Sequence, residues 1–244
     1  MIYDIANLRV MIENRCAFTT RFCEKWLSAD QTSPADFSVR VTNEQFYAEK
    51  EASTKNGEVY SDGYIENICL YRAICLEMPK YNRFLMHAAV LAYEGEAYAF
   101  TGRSGIGKST HTGLWLDKID GSYILNGDKP ILSVEADGKI YAHGTPWMGK
   151  EGRGTKGSVP LKAICFLEQS KENSIERLEK SETVSRIFSQ LLLPTEEEAA
   201  MKTLELCDKL VNGVEAYLLR CNVTEEAVKT SFEKMSGKTY PANE

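Results

Sequence analysis

Glycine, lysine and serine residues recur at a fixed spacing in one segment near the middle of the chain. Residues 102–109 fit the pattern G-x-x-x-x-G-K-[ST], with Gly102, Gly107, Lys108 and Ser109 at the fixed positions. Glycines let the backbone fold closely around a polyphosphate, so that its N–H groups face the oxygens. The lysine adds a mobile positive charge, and the serine hydroxyl is a ligand for Mg²⁺. The segment therefore predicts a site for a nucleotide or another polyphosphate.

The flanks of this segment also fit a phosphate-binding loop. The apolar residues 97–100 are typical of a strand, and residues 110–116 can continue as a helix. A loop between a strand and a helix places the positive end of the helix beside the phosphates. The predicted cofactors are ATP and Mg²⁺. The predicted nucleotide-binding residues are Gly102, Arg103, Ser104, Gly105, Ile106, Gly107, Lys108, Ser109 and Thr110.

A carboxylate ends the next predicted strand. Residues 122–128 form an apolar segment that finishes in Asp128. An acid at this place after a phosphate loop can bind Mg²⁺ or accept the proton of an attacking hydroxyl. The alternative is an ordinary turn, because Asn126, Gly127 and Asp128 are also good turn residues. We favour the functional role and predict Ser109 and Asp128 as the metal ligands.

The chain has three histidines, and His87 is the strongest candidate among them. It lies in a predicted strand, residues 85–93, which pairs through a tight hairpin with the strand before the loop. His87 could therefore approach the γ-phosphate or tune a neighbouring acid, although a lone strand histidine is more often a core residue. His111 follows the loop and could reach the nucleotide or serve packing, and His143 has weaker claims.

A segment rich in glycine and charge, residues 144–158, predicts a mobile loop over the site. Lys150 and Arg153 are its candidates for neutralising charge on a transferring phosphoryl group, and Glu151 for the metal shell. Solvated loop charges are the alternative for each of them. The predicted catalytic residues are Asp128, His87, Lys108 and Arg153.

The overall charge of the chain favours small-molecule or protein substrates. A net charge of −6 over 244 residues gives no general attraction to nucleic acid or an anionic membrane. No apolar run approaches the ~20 residues that span a bilayer. The N-terminus lacks the pattern of a signal peptide, and the seven cysteines include no C-x-x-C pair. We expect a cytoplasmic protein whose cysteines are reduced.

The predicted hairpins, 85–101 and 131–142, favour an α/β fold with a mixed, partly antiparallel sheet and peripheral helices. Residues 1–80 are expected to form a small N-terminal lobe or cap, and residues 81–244 the nucleotide-binding core with C-terminal helices. The individual segments predict strands at 5–13, 36–42, 159–167 and 214–221, and helices at 15–27, 64–78, 174–180, 182–193, 196–211 and 224–235.

Three of these motifs together are similar to the superfamily of HPr kinase/phosphorylase and phosphoenolpyruvate carboxykinase. The motifs are the histidine segment 86–90, the loop 102–109 and the strand end at Gly127 and Asp128. The resemblance implies a carboxykinase-type mixed-sheet kinase core that moves phosphate to a serine or another hydroxyl. Asp128 would be the proton acceptor or a metal ligand, and His87 would lie near the transferred group. The family usually has two adjacent acids at this strand end, whereas here Lys129 follows Asp128.

The sequence leaves several functions open. The first is a Mg²⁺-dependent kinase that transfers the γ-phosphoryl group of ATP to a hydroxyl of a small metabolite or a serine. The alternatives are a non-enzymatic nucleotide-binding regulatory module, a serine kinase/phosphorylase that acts on an HPr-like protein, and a pyrophosphate-dependent kinase. Specificity for the acceptor is expected in the 144–158 loop and in residues 1–80. The resemblance also leaves a homo-oligomer open.

Overall fold

The computed structural model describes residues 1–241 of the chain. Strands and helices are distributed along this whole range. The strands are β1 (Ile2–Ile5), β2 (Leu8–Glu13), β3 (Phe37–Arg40), β4 (Arg83–Leu85), β5 (Ala88–Tyr93), β6 (Glu96–Thr101), β7 (Tyr123–Asn126), β8 (Ile131–Val134), β9 (Ile140–His143), β10 (Ser158–Gln169), β11 (Ser174–Arg177) and β12 (Glu215–Cys221). The α-helices are α1 (Ala17–Phe22), α2 (Asn43–Lys55), α3 (Asp62–Glu77), α4 (Lys108–Lys118), α5 (Lys180–Phe188), α6 (Glu197–Gly213) and α7 (Glu225–Ser236).

The larger sheet is mixed. Its main path runs β4-β8-β9-β10-β6-β5-β7, while β12 pairs with β10 and β11 with β12. The long strand β10 joins two parts of the sheet, because its first residues pair antiparallel with β9 and its later ones parallel with both β6 and β12. The predicted α/β class, with a partly antiparallel sheet and peripheral helices, is confirmed. The carboxykinase-type core stays a prediction.

The direction of the strands brings three chain segments to one edge of this sheet. β5 lies between β6 and β7 and is antiparallel to both. The beginning of β5 therefore lies between the carboxyl ends of its two neighbours, as the pairing of Ala88 with Thr101 shows. Residues that precede β5, follow β6 and follow β7 thus meet at the same edge. These are His87, the loop that starts at Gly102, and Asp128.

Helices cover both faces of the strands around this edge. Tyr98 and Phe100 of β6 point into a cluster with Trp115 of α4 and Phe232 of α7. The alternate residues Ala97 and Ala99 belong to a second cluster with residues of α5 and α6. Since both faces are buried, β5 and residues 97–100 of β6 are apolar without alternation.

The N-terminal residues form a three-stranded sheet, β1-β2-β3, with α3 packed against it. Their apolar cluster continues into the rest of the chain through Leu85, Ile131 and Trp147. The indole Nε1 of the buried Trp26 also donates to the carbonyl of Gly144 at 3.1 Å. Residues 1–80 are therefore in direct contact with residues beyond 81, and the division into a lobe and a core stays a prediction.

Several predicted segments need correction. Residues 174–180 contain strand β11, not a helix, because Ser174–Arg177 pairs antiparallel with the edge of β12. The predicted strand 5–13 is part of a hairpin whose turn residues Ala6 and Asn7 have positive φ angles. The predicted helix 15–27 divides into α1 and the 3-10 turn Glu24–Trp26. α2 is capped by Thr42, which forms a capping box with Gln45.

The predicted strand 85–93 is also wrong at its beginning. Leu85 ends β4, which pairs with β8, whereas Ala88 begins β5. Met86 and His87 connect the two strands, and the amide of Met86 donates to the carbonyl of Pro130. His87 therefore lies just outside the strand, at the sheet edge.

Among the described residues, no helix combines the length and the apolar character that crossing a membrane requires. All seven cysteines are free thiols, as the sequence predicts.

Candidate functional site

The glycine-rich segment forms the connection between β6 and α4. Gly102, Gly105 and Gly107 have φ angles of +142°, +76° and +114°, a region that L-residues with side chains rarely adopt. A Cβ at position 102 would also lie 3.3 Å from Cγ2 of Ile106 and 3.4 Å from the carbonyl oxygen of Leu167. The backbone conformation of the loop therefore requires glycine at these positions. The loop leads directly into α4, which starts at Lys108.

Lys108 is folded back over this loop. Only 8% of the residue is exposed, and its Nζ donates to the carbonyls of Gly102 at 3.1 Å and Arg103 at 3.4 Å. Burial lowers the pKa of its ammonium, while the nearby carboxylate of Asp128 opposes that shift. A phosphate in the loop would replace weak carbonyl partners by charged oxygens, which bind an ammonium more strongly.

The first turn of α4 presents polar side chains to solvent. Ser109 and Thr110 are exposed, as are Arg103, Ser104 and Gly105 of the loop. Within residues 1–241 no group of three or more His, Cys, Asp or Glu side chains could hold a metal ion. A Mg²⁺ ion bound through phosphate oxygens, water and one or two protein ligands needs no such group. The hydroxyl of Ser109 and the carboxylate of Asp128 have the oxygen chemistry that this ion prefers.

His87 and Asp128 form the polar pair at the sheet edge. Nε2 of His87 lies 3.0 Å from Oδ1 of Asp128, and the two side chains are 35% and 25% exposed. Burial raises the pKa of the Asp128 carboxyl, but the hydrogen bond with His87 and the charges of Lys129 and Lys108 outweigh it. The pKa is therefore below its ordinary value, and Asp128 is ionised at neutral pH.

Asn126 fixes the backbone that carries Asp128. Its Oδ1 accepts the amides of Asp128 at 2.9 Å and Lys129 at 2.7 Å, and its Nδ2 donates to Oγ1 of Thr145 at 2.9 Å. Thr145 in turn donates through Oγ1 to the carbonyl of Lys129 at 2.8 Å. Asn126 is fully buried, so it has a structural role that its turn-forming sequence only partly suggests.

The backbone of His87 is also held in place, by residues from other parts of the chain. The amide of His87 donates to the carbonyl of Gln190 at 2.8 Å. The hydroxyl of Thr101 donates to the carbonyl of His87 at 2.7 Å and lies 3.3 Å from Oε1 of Gln190. No pattern in the sequence signals Gln190, because its role depends on where α5 ends in space.

The loop of residues 144–157 lies against β7 and Asp128. The carbonyl of Arg153 accepts the amide of Gly127 at 3.1 Å, and the amide of Thr155 donates to the carbonyl of Leu125 at 3.0 Å. Trp147 is 5% exposed. The 144–158 loop is therefore hydrogen-bonded at Arg153 and Thr155 and buried at Trp147, and its mobility stays a prediction.

Gly149 of this loop lies against Asp128. A Cβ at position 149 would lie 2.9 Å from the Cβ of Asp128, and the φ angle of +78° also disfavours any side chain there. By contrast, a Cβ at Gly152, whose φ angle is +61°, would meet no described atom within 4 Å. The loop and the aspartate are thus packed together only at the first of these glycines.

Lys150 and Arg153, the basic residues predicted to act in catalysis, make no side-chain hydrogen bond or ion pair with the His87–Asp128 pair among the described residues. The side chains of Lys150, Glu151 and Arg153 are exposed. Within the described part of the chain, the Arg153 guanidinium makes no hydrogen bond or ion pair, and only its backbone contacts the segment around Asp128. Its catalytic role stays a prediction.

The other two histidines are core residues. Nε2 of His111 lies 3.0 Å from Oγ of Ser231, and Nε2 of His143 lies 2.8 Å from Oγ of Ser133. Burial lowers the pKa of His111 to about 4. Burial and the charge of Arg83 lower that of His143 to about 4 as well. Both rings are neutral at pH 7 and pack in the core. For His111, packing is the alternative role that the sequence left open.

Lys129 adds a cation beside the aspartate. Its Nζ lies 3.6 Å from Oδ2 of Asp128 and 5.1 Å from the ring centroid of Tyr71. The rings of Tyr71 and Trp147 are in contact, with centroids 4.9 Å apart. Tyr71 comes from α3 and Trp147 from the 144–157 loop, so the two regions in which specificity is expected meet next to Asp128.

The fold and the site together define a mixed α/β protein that carries a glycine-rich strand-to-helix loop and an ionised aspartate at one sheet edge. Residues 64–231, more than half of the chain, match the family model described as "SynChlorMet cassette protein ScmC". The chain belongs to this family. No curated protein matches the sequence.

Among solved structures, the chain is similar to the Hpr(Ser) kinase/phosphatase from Coxiella burnetii. The identity is 15% and the TM-score 0.34, over 63% of this chain and 99% of that chain.

Proposed function

We propose that this chain is a Mg²⁺-dependent phosphotransferase that moves the γ-phosphoryl group of ATP to a hydroxyl of a small metabolite or a serine. The observation that carries the proposal is the meeting of three groups at one sheet edge. Asp128 follows β7 and is hydrogen-bonded to His87, and the loop with Lys108 follows β6 at the same edge. A phosphate-binding lysine and a base for the acceptor therefore share one sheet edge.

The glycine-rich loop has the task of binding the donor. Its amides, the start of α4 and Lys108 would hold the phosphates, because all of them present positive charge toward one place. Ser109 and Asp128 would hold Mg²⁺. When bound, this ion neutralises charge on the phosphates.

Asp128 has the task of positioning the acceptor. The hydroxyl oxygen of the acceptor forms a bond to the γ-phosphorus while the bond from that phosphorus to the leaving oxygen of ADP breaks. The hydroxyl proton passes to the Asp128 carboxylate, whose other oxygen is held by His87. His87 thus orients the carboxylate, and most of the catalysis comes from positioning and charge.

Incubation of the purified chain with Mg²⁺, ATP and a panel of polyols, hydroxy acids, serine and serine peptides tests this function. We expect a phosphorylated product, detected by mass spectrometry, and formation of ADP that depends on the acceptor. Absence of product from the whole panel and from a cell extract treated with labelled ATP would refute the proposal.

A nucleotide-binding module without catalytic activity is the second candidate, favoured by the contacts of the carboxylate. One oxygen of Asp128 is hydrogen-bonded to His87, and the ammonium of Lys129 lies near the other. Both contacts compete with a metal ion. Calorimetry with ATP followed by a long incubation and product analysis distinguishes the candidates, because the module binds ATP and leaves it intact.

A further inference from the structure

Hydrogen bonds hold the backbone of Lys129 in place. Its amide donates to Asn126 and its carbonyl accepts from Thr145, so the chain on both sides of its Cα is held. Its side chain is 40% exposed and projects over the Tyr71 ring. An ammonium that lies against an aromatic ring can still bind an anion on its other sides.

Within residues 1–241, the N–H groups of the Lys129 ammonium donate no hydrogen bond. A lysine has three N–H donors, and the nearest acid oxygen, Oδ2 of Asp128, lies 3.6 Å away. That separation is longer than the ~2.8 Å of a charge-assisted hydrogen bond. Other lysines of the chain do reach this length, such as Lys156 with Asp4 at 2.9 Å and Lys162 with Glu96 at 3.0 Å. Lys129 therefore compensates part of the Asp128 charge but keeps its hydrogen-bonding capacity.

We propose that Lys129 binds a carboxylate of the acceptor, so that the acceptor carries a free carboxylate near the reacting hydroxyl. This inference rests on the proposed function, since Asp128 must accept the proton of that hydroxyl. The ring of Tyr71, which is in contact with Trp147, lies on one side of the ammonium.

The distance between the two charged groups limits the length of the acceptor. A hydroxyl bound to Asp128 and a carboxylate bound to Lys129 would each lie about 2.8 Å from their partners. Since Nζ of Lys129 and Oδ2 of Asp128 are 3.6 Å apart, the two acceptor oxygens can be at most about 9 Å apart. An α- or β-hydroxy acid lies within this limit, and so does a serine at the carboxyl terminus of a peptide.

Acceptor pairs that differ only in the carboxylate test the proposal. The probes are glycerate with glyceramide, and a serine-terminated pentapeptide as the free acid with its carboxyl-terminal amide. We expect the wild-type chain to use the free acid of at least one pair with kcat/KM about 10- to 100-fold higher than the amide. Which pair responds distinguishes a free hydroxy acid from a peptide terminus.

Variants at position 129 assign the preference to the lysine. Lys129→Met should reduce the acid-to-amide ratio to about one, and Lys129→Arg should keep most of it because the charge remains. ATP binding, measured by calorimetry, should be unchanged in both. Equal use of acid and amide by the wild type, or an undiminished preference in Lys129→Met, would overturn the proposal.

A binding measurement separates this inference from the proposed function. The same pairs are titrated into the chain loaded with Mg²⁺ and a non-hydrolysable ATP analogue. Tighter binding of the acid that depends on Lys129, without turnover of any probe, supports the carboxylate site and counts against the phosphotransferase. Equal binding of acid and amide overturns the carboxylate site, even where the chain phosphorylates another hydroxyl.

Discussion

His87 and Asp128 are 41 positions apart in the sequence, yet Nε2 of the histidine lies 3.0 Å from Oδ1 of the aspartate. The pair forms because β5 is antiparallel to the two strands beside it, so the residue before β5 and the residues after β7 share one edge. The carboxylate of Asp128 is thereby oriented and kept ionised. This relationship leads to the first prediction.

Asp128→Asn should lower kcat by about 100- to 10,000-fold, because an amide cannot accept the proton of the acceptor hydroxyl. His87→Ala should have a smaller effect, about 100-fold at most, because the carboxylate remains but loses its orientation. Steady-state kinetics measures both changes, and calorimetry should find the ATP affinity of His87→Ala within about threefold of the wild type. A larger loss in His87→Ala than in Asp128→Asn would contradict these roles.

Lys108→Met should weaken ATP binding by about tenfold or more, because the loop loses the ammonium that would bind the phosphates. Lys118→Met is the matched control, since Lys118 ends the same helix and pairs with Glu225. Calorimetry with Mg²⁺ and ATP makes the comparison, supported by the thermal stabilisation that bound ATP gives. Similar ATP affinities in the two variants would exclude a phosphate contact of Lys108.

Gly149→Ala should lower kcat by about tenfold or more, because the new methyl group would displace Asp128 from the position in which His87 holds it. Gly152→Ala provides the control, since it has a similar positive φ angle but no described neighbour within 4 Å. Both substitutions should cost about 1 kcal/mol in stability from backbone strain. The prediction is wrong if the kinetic effects of the two variants are the same.

Asn126→Ala should reduce the free energy of unfolding by about 2 to 4 kcal/mol, because the buried amides of Asp128 and Lys129 lose their acceptor. Denaturant unfolding measures the change. Asn212→Ala on the exposed part of α6 should stay within about 0.5 kcal/mol of the wild type. Equal stability of the two variants would show that water replaces the Asn126 side chain.

The stability of the chain should fall as the pH decreases from about 6.5 toward 4, in part because of His111 and His143. Burial lowers the pKa of each in the folded state to about 4, from the ordinary 6.5. The unfolded chain therefore binds protons that the folded chain does not, and stability is lost with falling pH. Each histidine contributes about 2 kcal/mol between pH 7.5 and 5.

Denaturant unfolding at these two pH values, with His111→Gln and His143→Gln as comparisons, measures that contribution. Each variant should lose less stability than the wild type on acidification. An unchanged difference between pH 7.5 and 5 would mean that the ring in question is not buried as a neutral group.

Local patterns in the sequence predicted the elements whose formation depends on neighbouring residues. The hairpin at 85–101, the helix at 64–78 and the strand-to-helix loop at Gly102 follow from turn residues, apolar spacing and glycine chemistry. The failures lie where tertiary pairing outweighs a weak local preference. Ser174–Arg177 becomes a strand because the edge of β12 offers hydrogen bonds, and Leu85 separates from Ala88 because they pair with different neighbours.

The sequence by itself determined the phosphate-loop motif, because its glycines, Lys108 and Ser109 are adjacent in the chain and their chemistry depends only on local spacing. It could also nominate His87 and Asp128 by their residue types. Only the tertiary structure decided that these two side chains touch. It also decided that Tyr71 and Trp147 meet beside Lys129, since strand order and packing bring distant residues together.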